Sequence, residues 1–533
     1  MKTRQFQVII VGGGPVGVGL AVDLGRRGIA CVLVEKRPGM HNVPKGQNLT
    51  ARTAEHFYNW GIIDELRAAR IMPPEIQNNG VVAYKTLMSD YWFATKGREI
   101  VAPYYFQALE RLPQYLMETV LRRKMASLAG VESRFGWSAG RIEQDAEGVR
   151  VEIKQDGGDG QEMLQADYVV GCDGGHSTVR QQIGIQRGGA DFDQQMALMV
   201  FRSRRFHEGI ARFPVRSTYR VMDPALNGYW QFFGRVDVGE SFFFHSPVPA
   251  GTRTDNFDFH GLIQQVAGFE FPCTFDHVGF WDLRVAVADN YQVGRAFIAG
   301  DAAHSHPPYG GYGVNNGLED AVNLGWKLAA RLQGWGSDSL LASYTDERRA
   351  IFKETGDDFI AARIEHEAKF LRSYSPDKDR PAFERAWKDL EDDVGNRVSA
   401  YEPHYEGSPV VHGPPGGRSS AHGSFTFKAR AGHHLPPRTL TSGRNVFEDL
   451  GSGFTLLAFG AAPQAVEAFE QAAKSLRVPL RVVRDTFDGG REDYGGRLVL
   501  VRPDQHIAWV GDAAPTDAGA VLGKAVGRGS SAD

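Results

Sequence analysis

Apolar and polar positions along this chain change period several times, and the changes divide it into elements. Residues 6–11 form a short apolar run with the character of a buried parallel strand, and the pattern breaks at Gly12-Gly13-Gly14-Pro15-Val16-Gly17. A helix is expected from there to about residue 28, then a second strand over residues 31–34 that ends at Glu35. Residues 43–55 are polar and lead into a helix with Arg52 near its start, and short strands follow over 81–84 and 91–94. An amphipathic helix starts at Leu112, with Gln114 in its first turn. Residues 141–154 and 161–171 predict a hairpin around Gly157-Gly158 and a return to the central sheet.

From residue 196 to 287 the runs MALMVFRS, STYRVMD, GYWQFFGRV and SFFFHSPV predict a sheet of short aromatic strands. Residues 296–299 read as a strand re-entering the first sheet, and residues 320–401 as helical. The Gly, Pro, Ser and His-rich stretch 402–423 reads as a linker. Beyond it, FTLLAFG, AAPQAVEAFEQAAKSL and RLVLVRPDQHIAWVG predict a small α/β domain, with a tail from residue 511 that loses order at its end. The expected fold class is therefore α/β. A discontinuous Rossmann-like domain (1–185 and 288–401, with short strands inserted near 78–105) interleaves with a β-sheet domain (186–287), followed by the linker (402–423) and a C-terminal domain (424–533).

Composition narrows the function classes. At 533 residues the chain has length for two or three domains, and its formal charge of -4 supplies no general field for nucleic acid or an anionic membrane. Cys31, Cys172 and Cys273 are scattered, without metal spacing, as expected of buried thiols in a reducing cytoplasm. The N-terminal apolar run is too short to span a membrane and carries no cleavage pattern.

Three stretches carry chemistry. In the glycine-rich turn, Gly12 allows the sharp bend, Gly14 lets backbone approach a pyrophosphate, Gly17 lets helix and strand pack, and Glu35 can accept bonds from a ribose hydroxyl. The second is DGGHSTVR from Asp173, where Ser177 is a candidate N-cap. The third is GDAAHSHPPYGGYGVNNG from Gly300, a loop running into a helix whose positive end favours an anionic group such as reduced flavin, with Asp301 available to a ribityl hydroxyl. A cation in the first turn opposes the helix dipole, so Arg52 answers either a phosphate, a flavin carbonyl or solvent.

Together the three motifs resemble the single-component FAD-dependent aromatic hydroxylases of the para-hydroxybenzoate hydroxylase type, nearest the phenol hydroxylase and polyketide hydroxylase branch. The resemblance implies a thioredoxin-like C-terminal domain, here without CxxC and so without a dithiol role. It places Gly12, Gly14, Pro15 and Gly17 on the FAD pyrophosphate, Glu35 and Lys36 at the adenosine ribose, and Asp301 on the ribityl chain. Gly313, Val314 and Asn315 would set backbone against the isoalloxazine; Lys45, Arg52 and Gln114 would contact flavin phosphate, ribityl or ring groups; Asp173 and Arg180 would serve both FAD and the nicotinamide donor. Gln47 stands where phenol hydroxylases have an acid near the substrate hydroxyl.

The activity so implied is reduction of FAD by NADH or NADPH, addition of O2 as a flavin C4a-hydroperoxide, and hydroxylation of a small phenolic ring, in a protein that can be a homodimer. Pro308 would shape the backbone beside C4a. Candidates for taking the phenolic proton are His245, Tyr219 and Tyr229 on the sheet, with Tyr309 and Tyr312 on the flavin loop. Rival readings are a flavin-dependent halogenase, against which stands the absence of WxWxIP, a flavin dehydrogenase or oxidase, and a flavin-binding interaction protein.

Overall fold

A computed structural model describes residues 3–76, 80–95 and 97–529. Thr3–Val11 pairs in parallel with both Cys31–Glu35 and Gln161–Gly171, and Ala296–Ile298 returns to lie parallel beside Gln161–Gly171. These strands form the centre of an eight-stranded nucleotide sheet, and Val8, Ile9, Ile10, Val32 and Leu33 are wholly buried in it. The helix Pro15–Arg26 packs on one side with the long helix Gly313–Leu332. Gly19 marks that contact: a Cβ there would stand 2.9 Å from the Leu318 side chain.

A second eight-stranded sheet contains the aromatic strands Arg187–Arg202, Thr218–Met222, Gln231–Arg235, Ser241–Val248 and Thr274–Ala288. Gly80–Tyr84 joins it in parallel beside Thr218–Met222, and Trp92–Ala94 closes that edge. The short strands expected near 78–105 thus belong to this sheet; residues 78, 79 and 96 lie outside the described residues. Alternation gives the sheet two faces. Phe201, Tyr219, Phe233, Phe242 and Phe244 fill a core with the helix Phe259–Ala267, while Phe232, Phe243 and His245 point to the other side.

The stretch expected to be a linker is ordered and packed. Tyr401–Tyr405 and Ser419–His422 form an antiparallel ribbon, and Tyr405, Val410, Val411 and Ala421 are buried. The ribbon is held to the helix Asp338–Glu354 by Glu354, which accepts bonds from Ser420 Oγ at 2.5 Å and Ala421 N at 2.8 Å.

In the C-terminal domain Phe454–Phe459 lies at the centre, parallel to Leu480–Asp485 and antiparallel to Leu498–Val501, which pairs with Ile507–Gly511. This is the mixed four-stranded arrangement of a thioredoxin-like fold, with no cysteine anywhere after residue 273. The tail is more ordered than its composition suggested: Ala518–Ala525 is a helix capped by Asp517, packed on Pro463–Leu476. Residues 530–533 lie outside the described residues. Among the described residues, no helix is long and apolar enough to cross a membrane.

Candidate active site

The glycine-rich turn separates two reasons for glycine. Gly12 has φ +109°, and a Cβ there would stand 2.3 Å from the Cys172 carbonyl oxygen; a Cβ on Gly17 would stand 2.0 Å from the carbonyl oxygen of Gly12. Those two are required by the chain itself. Gly14, the residue before Pro15 at the helix start, is different: a Cβ there would meet nothing within 4 Å. The space beside the helix N-terminus is open, which suits a bound pyrophosphate and has no purpose in packing. Glu35 closes the far side, its carboxylate accepting bonds from Gly13 N at 2.6 Å and Arg37 N at 2.8 Å, with Lys36 exposed next to it.

The two other motif loops meet this turn. Gly300 sits against Val16 of the first helix, which leaves Asp301 exposed beside the turn. Asp173 is spent on structure: its two oxygens accept from Ser177 Oγ and from Thr178 N and Val179 N, capping the short helix Thr178–Gln182. Arg180 is buried and donates to the carbonyls of Ala302 at 2.9 Å and Gly175 at 3.0 Å, so it ties the second loop to the third.

Around the start of the helix Gly313–Leu332 the chain is drawn tight. Asn315 donates to the carbonyls of Asn48 and Gly311, and its Oδ1 accepts from Thr50 N and Thr53 Oγ1. Gln114 Oε1 holds Gly46 N at 3.0 Å, and a Cβ on Gly46 would stand 3.3 Å from Val314 Cγ1. Lys45 is exposed at this edge. Gln47 is buried, and neither its amide nitrogen nor its amide oxygen has a partner within the protein. An orphaned buried amide costs about 1–3 kcal/mol, so a polar ligand edge belongs there. The open space at Gly14, with Asp301 exposed beside the turn, is what fits FAD.

Arg52 does not fit the role expected for it. Its guanidinium is bonded to Glu319 at 3.1 and 3.2 Å, to Gln505 Oε1 at 2.9 Å and to the Asp504 carbonyl at 2.6 Å. The opposing helix dipole is answered by these groups of the chain, two of them from the C-terminal domain, rather than by a phosphate.

Facing the flavin loop is one side of the aromatic sheet. Tyr309 stacks on Trp230 with centroids 4.4 Å apart, and its hydroxyl accepts from Trp230 N at 2.9 Å. Tyr229, Phe232 and Trp281 border the same apolar cluster, with Ile360 and Ile364 from the helical region. Val43 packs with Leu198, Val200 and Phe243, bringing the segment that carries Gln47 against the sheet. Pro308 precedes the short turn Tyr309–Gly311 at the edge of this space.

His245 lies among these rings, 5.0 Å from Phe232, 5.6 Å from Phe243 and 6.1 Å from Trp281. Its Nδ1 is buried without a partner, and burial pushes the imidazole down to about 3. That corrects the expectation of a base working near neutral pH: in this setting His245 is a neutral hydrogen-bonding group. Tyr219 is corrected outright. It lies on the opposite face of the sheet, fully buried in the aromatic core, with its hydroxyl bonded to Arg216 N and Arg235 Nε.

Sequence reasoning missed Arg111. It is buried, bonds Asn48 Oδ1 and the Arg235 carbonyl, and burial without a nearby acid lowers its guanidinium to about 9. Its neighbour Glu110 is taken by Arg67 and Arg70. The only sequence signal was a charged pair between apolar Leu109 and Leu112. A separate cavity of about 980 Å³, counted to its open mouth, lies beyond Asn315, between that helix start and the C-terminal domain; Tyr105, Tyr312, Tyr401, Phe425 and His434 line it, and no strand of the aromatic sheet does.

Residues 5–358 match the FAD binding domain family, and residues 428–529 match the C-terminal domain of aromatic-ring hydroxylases. The chain belongs to the FAD-binding aromatic hydroxylase family. It is an FAD-dependent aromatic monooxygenase by that membership. It is similar to aklavinone 12-hydroxylase RdmE of Streptomyces purpurascens, at 29% identity over 98% of both chains. It is similar also to 4-methyl-5-nitrocatechol 5-monooxygenase of a Burkholderia species, at 28% identity over 95% of this chain and 94% of the relative. Among solved structures, a ternary complex of aklavinone-11 hydroxylase with FAD and aklavinone superposes with TM-score 0.82 at 25% identity, covering 99% of this chain and all of that one.

Proposed function

We propose that this monooxygenase hydroxylates a phenolic ring held between the flavin loop 308–312 and the sheet face of Tyr229, Phe232, His245 and Trp281. The observation that carries the reading is a pair of buried polar groups without a partner, Gln47 and His245 Nδ1: the second lies among Phe232, Phe243 and Trp281, and Val43 packs the segment that carries the first against the same face. FAD, reduced by NADH or NADPH, supplies the activation of O2. The chain supplies the rest. Phe232 and Trp281 give this face an aromatic, apolar surface for a flat substrate, and such surroundings keep out water. Gln47 and His245 hydrogen-bond the hydroxyl and so fix which carbon faces the flavin. The substrates named for two similar proteins, aklavinone and 4-methyl-5-nitrocatechol, support an aromatic substrate for this chain.

A panel of mono- and polycyclic phenols, read for product against H2O2, tests this. NAD(P)H oxidation coupled to product is expected for phenols of the panel that fit the face; consumption of NAD(P)H yielding only H2O2 across the panel would turn the reading to an oxidase. His245→Phe should keep full FAD occupancy and lose about 10–100-fold in coupled turnover, the worth of one buried hydrogen bond. The loss should be at least as large for phenols already ionised at the assay pH, because a neutral imidazole N–H bonds a phenolate oxygen more strongly than a phenol. Stability gives an independent check. Between pH 6.5 and about 3 the unfolded chain protonates His245 and the folded one does not, so the native state weakens as pH falls through that window. His245→Phe should show a shallower decline on acid titration than the parent protein.

A further inference from the structure

Strand alternation in the ribbon sorts its residues into two sets. Tyr401, Pro403 and Tyr405 face the cavity behind the flavin loop. Glu402, His404 and Glu406 occupy the alternate positions, and His433 comes over them from the C-terminal domain. One donor atom from each of His404, Glu406 and His433 lies within 4.8 Å of the other two.

Both imidazoles are prepared as ligands usually are, with one nitrogen held by an outer acceptor. His404 Nε2 is 3.0 Å from the His422 carbonyl, so it is the protonated nitrogen, and Nδ1 keeps a lone pair. That Nδ1 is buried, on a side chain 7% exposed, and has no partner. His433 has Nδ1 2.9 Å from Glu402 Oε1, and Nε2 2.9 Å from Glu406 Oε1. Arg430 Nη2 also donates to Glu402 Oε1, at 2.6 Å, which fixes that carboxylate as an orienting group, while Glu406 remains about a quarter exposed.

We propose that His404 Nδ1, His433 Nε2 and the Glu406 carboxylate bind one divalent ion of the zinc class, with Glu402 and the His422 carbonyl as outer partners. Two imidazoles and one carboxylate suit zinc, cobalt or nickel rather than magnesium or calcium, and the exposed side of Glu406 leaves a fourth position for water. An imidazolium clamped between Glu402 and Glu406 would account for His433 alone; it leaves His404 Nδ1 without a purpose. The two rings lie face to face, centroids 4.3 Å apart, so ligation requires a small rotation of one ring and contraction of the donor triangle. The ion would pin the ribbon to the C-terminal domain on the side opposite the cavity.

The test uses tag-free, FAD-loaded full-length protein, stripped with EDTA, dialysed and titrated with Zn2+ and separately with Co2+ near neutral pH. Elemental analysis should find one zinc per chain, and cobalt should give visible bands of a low-symmetry, four-coordinate site. His404→Ala should abolish the bands. Glu402→Gln, which touches only an outer partner, should weaken affinity about 10–100-fold. Should His404→Ala fail to fold, Glu406→Gln carries the same expectation from a partly exposed position. Zinc that stays below stoichiometric, or stoichiometric zinc unaffected by these substitutions, overturns the proposal. Each readout is independent of hydroxylation, so the site can fail while the functional reading stands.

Discussion

Gly14→Val is expected to give a folded, colourless protein. A Cβ at that position meets nothing within 4 Å, so the branched side chain enters open space and the apo chain keeps its stability. The same space is where a pyrophosphate must approach the backbone at the helix start, and a valine there removes that approach. FAD affinity should fall at least about 100-fold, equivalent to about 2.7 kcal/mol. Gly17→Ala supplies the contrast. Its Cβ would lie 2.0 Å from the Gly12 carbonyl oxygen, so that variant should lose fold and flavin together. Flavin absorbance of the purified proteins, with circular dichroism of the apo forms, separates the two outcomes. A yellow Gly14→Val protein with full occupancy would mean that the pyrophosphate lies elsewhere.

Arg502→Leu is expected to be among the most destabilising single changes in the molecule. Arg502 leaves the C-terminal hairpin and meets Glu347 with two bonds, at 2.7 and 2.9 Å, while also bonding Asp504. Glu347 further accepts from Lys327 Nζ at 2.7 Å and Ser408 Oγ at 2.7 Å, and Asp504 accepts from Trp326 Nε1 at 3.0 Å. All four charged side chains are buried. Two positive groups balance two negative ones, all fully buried, and deleting Arg502 leaves two carboxylates to one lysine. The cost should be about 3–5 kcal/mol in chemical denaturation, the amount seen when one partner of a buried pair is removed. The solvent-exposed pair of Arg331 and Asp338 is the control: Arg331→Leu should change stability by less than about 1 kcal/mol. Equal effects from the two substitutions would show that the buried cluster is not what holds the domains together.

Much of the fold was legible because its signals are local. The strand, glycine turn and helix at the N-terminus, and the loop and helix from Gly300, announce themselves by period and by glycine placement. Features that depend on distant partners were not legible. The ribbon of residues 401–422 has the composition of a loop, and its order comes from Glu354 and His433, far away in sequence. Leu480–Asp485 is an edge strand whose arginines mask the apolar alternation. Ala518–Ala525 is made of residues that also suit disorder, and only its packing on Pro463–Leu476 fixes it.

The site shows the same division. The FAD motifs could be read, whereas the substrate face could not, because SFFFH is aromatic in both directions. Only the pairing of Phe232 with His245 shows that Phe243 and His245 look towards the flavin loop and that Tyr219 looks away. Arg52 was misread for a related reason: its partners, Asp504 and Gln505, come from a hairpin more than four hundred residues later.

The parallel pairing of Gly80–Tyr84 with Thr218–Met222 sets a schedule for the newborn chain. At about 5–20 residues per second, the roughly 130 residues between the two strands take about 7–26 s to leave the ribosome. For that interval an apolar segment, Val81-Val82-Ala83-Tyr84, buried in the finished protein, lacks one of its two partner strands. The edge strand Trp92–Ala94 can cover one of its sides, and the other waits. Production in cells should therefore respond to trigger-factor and Hsp70 supply more strongly than the stability of the finished enzyme would suggest, and pausing codons placed between residues 100 and 210 should raise the aggregated fraction.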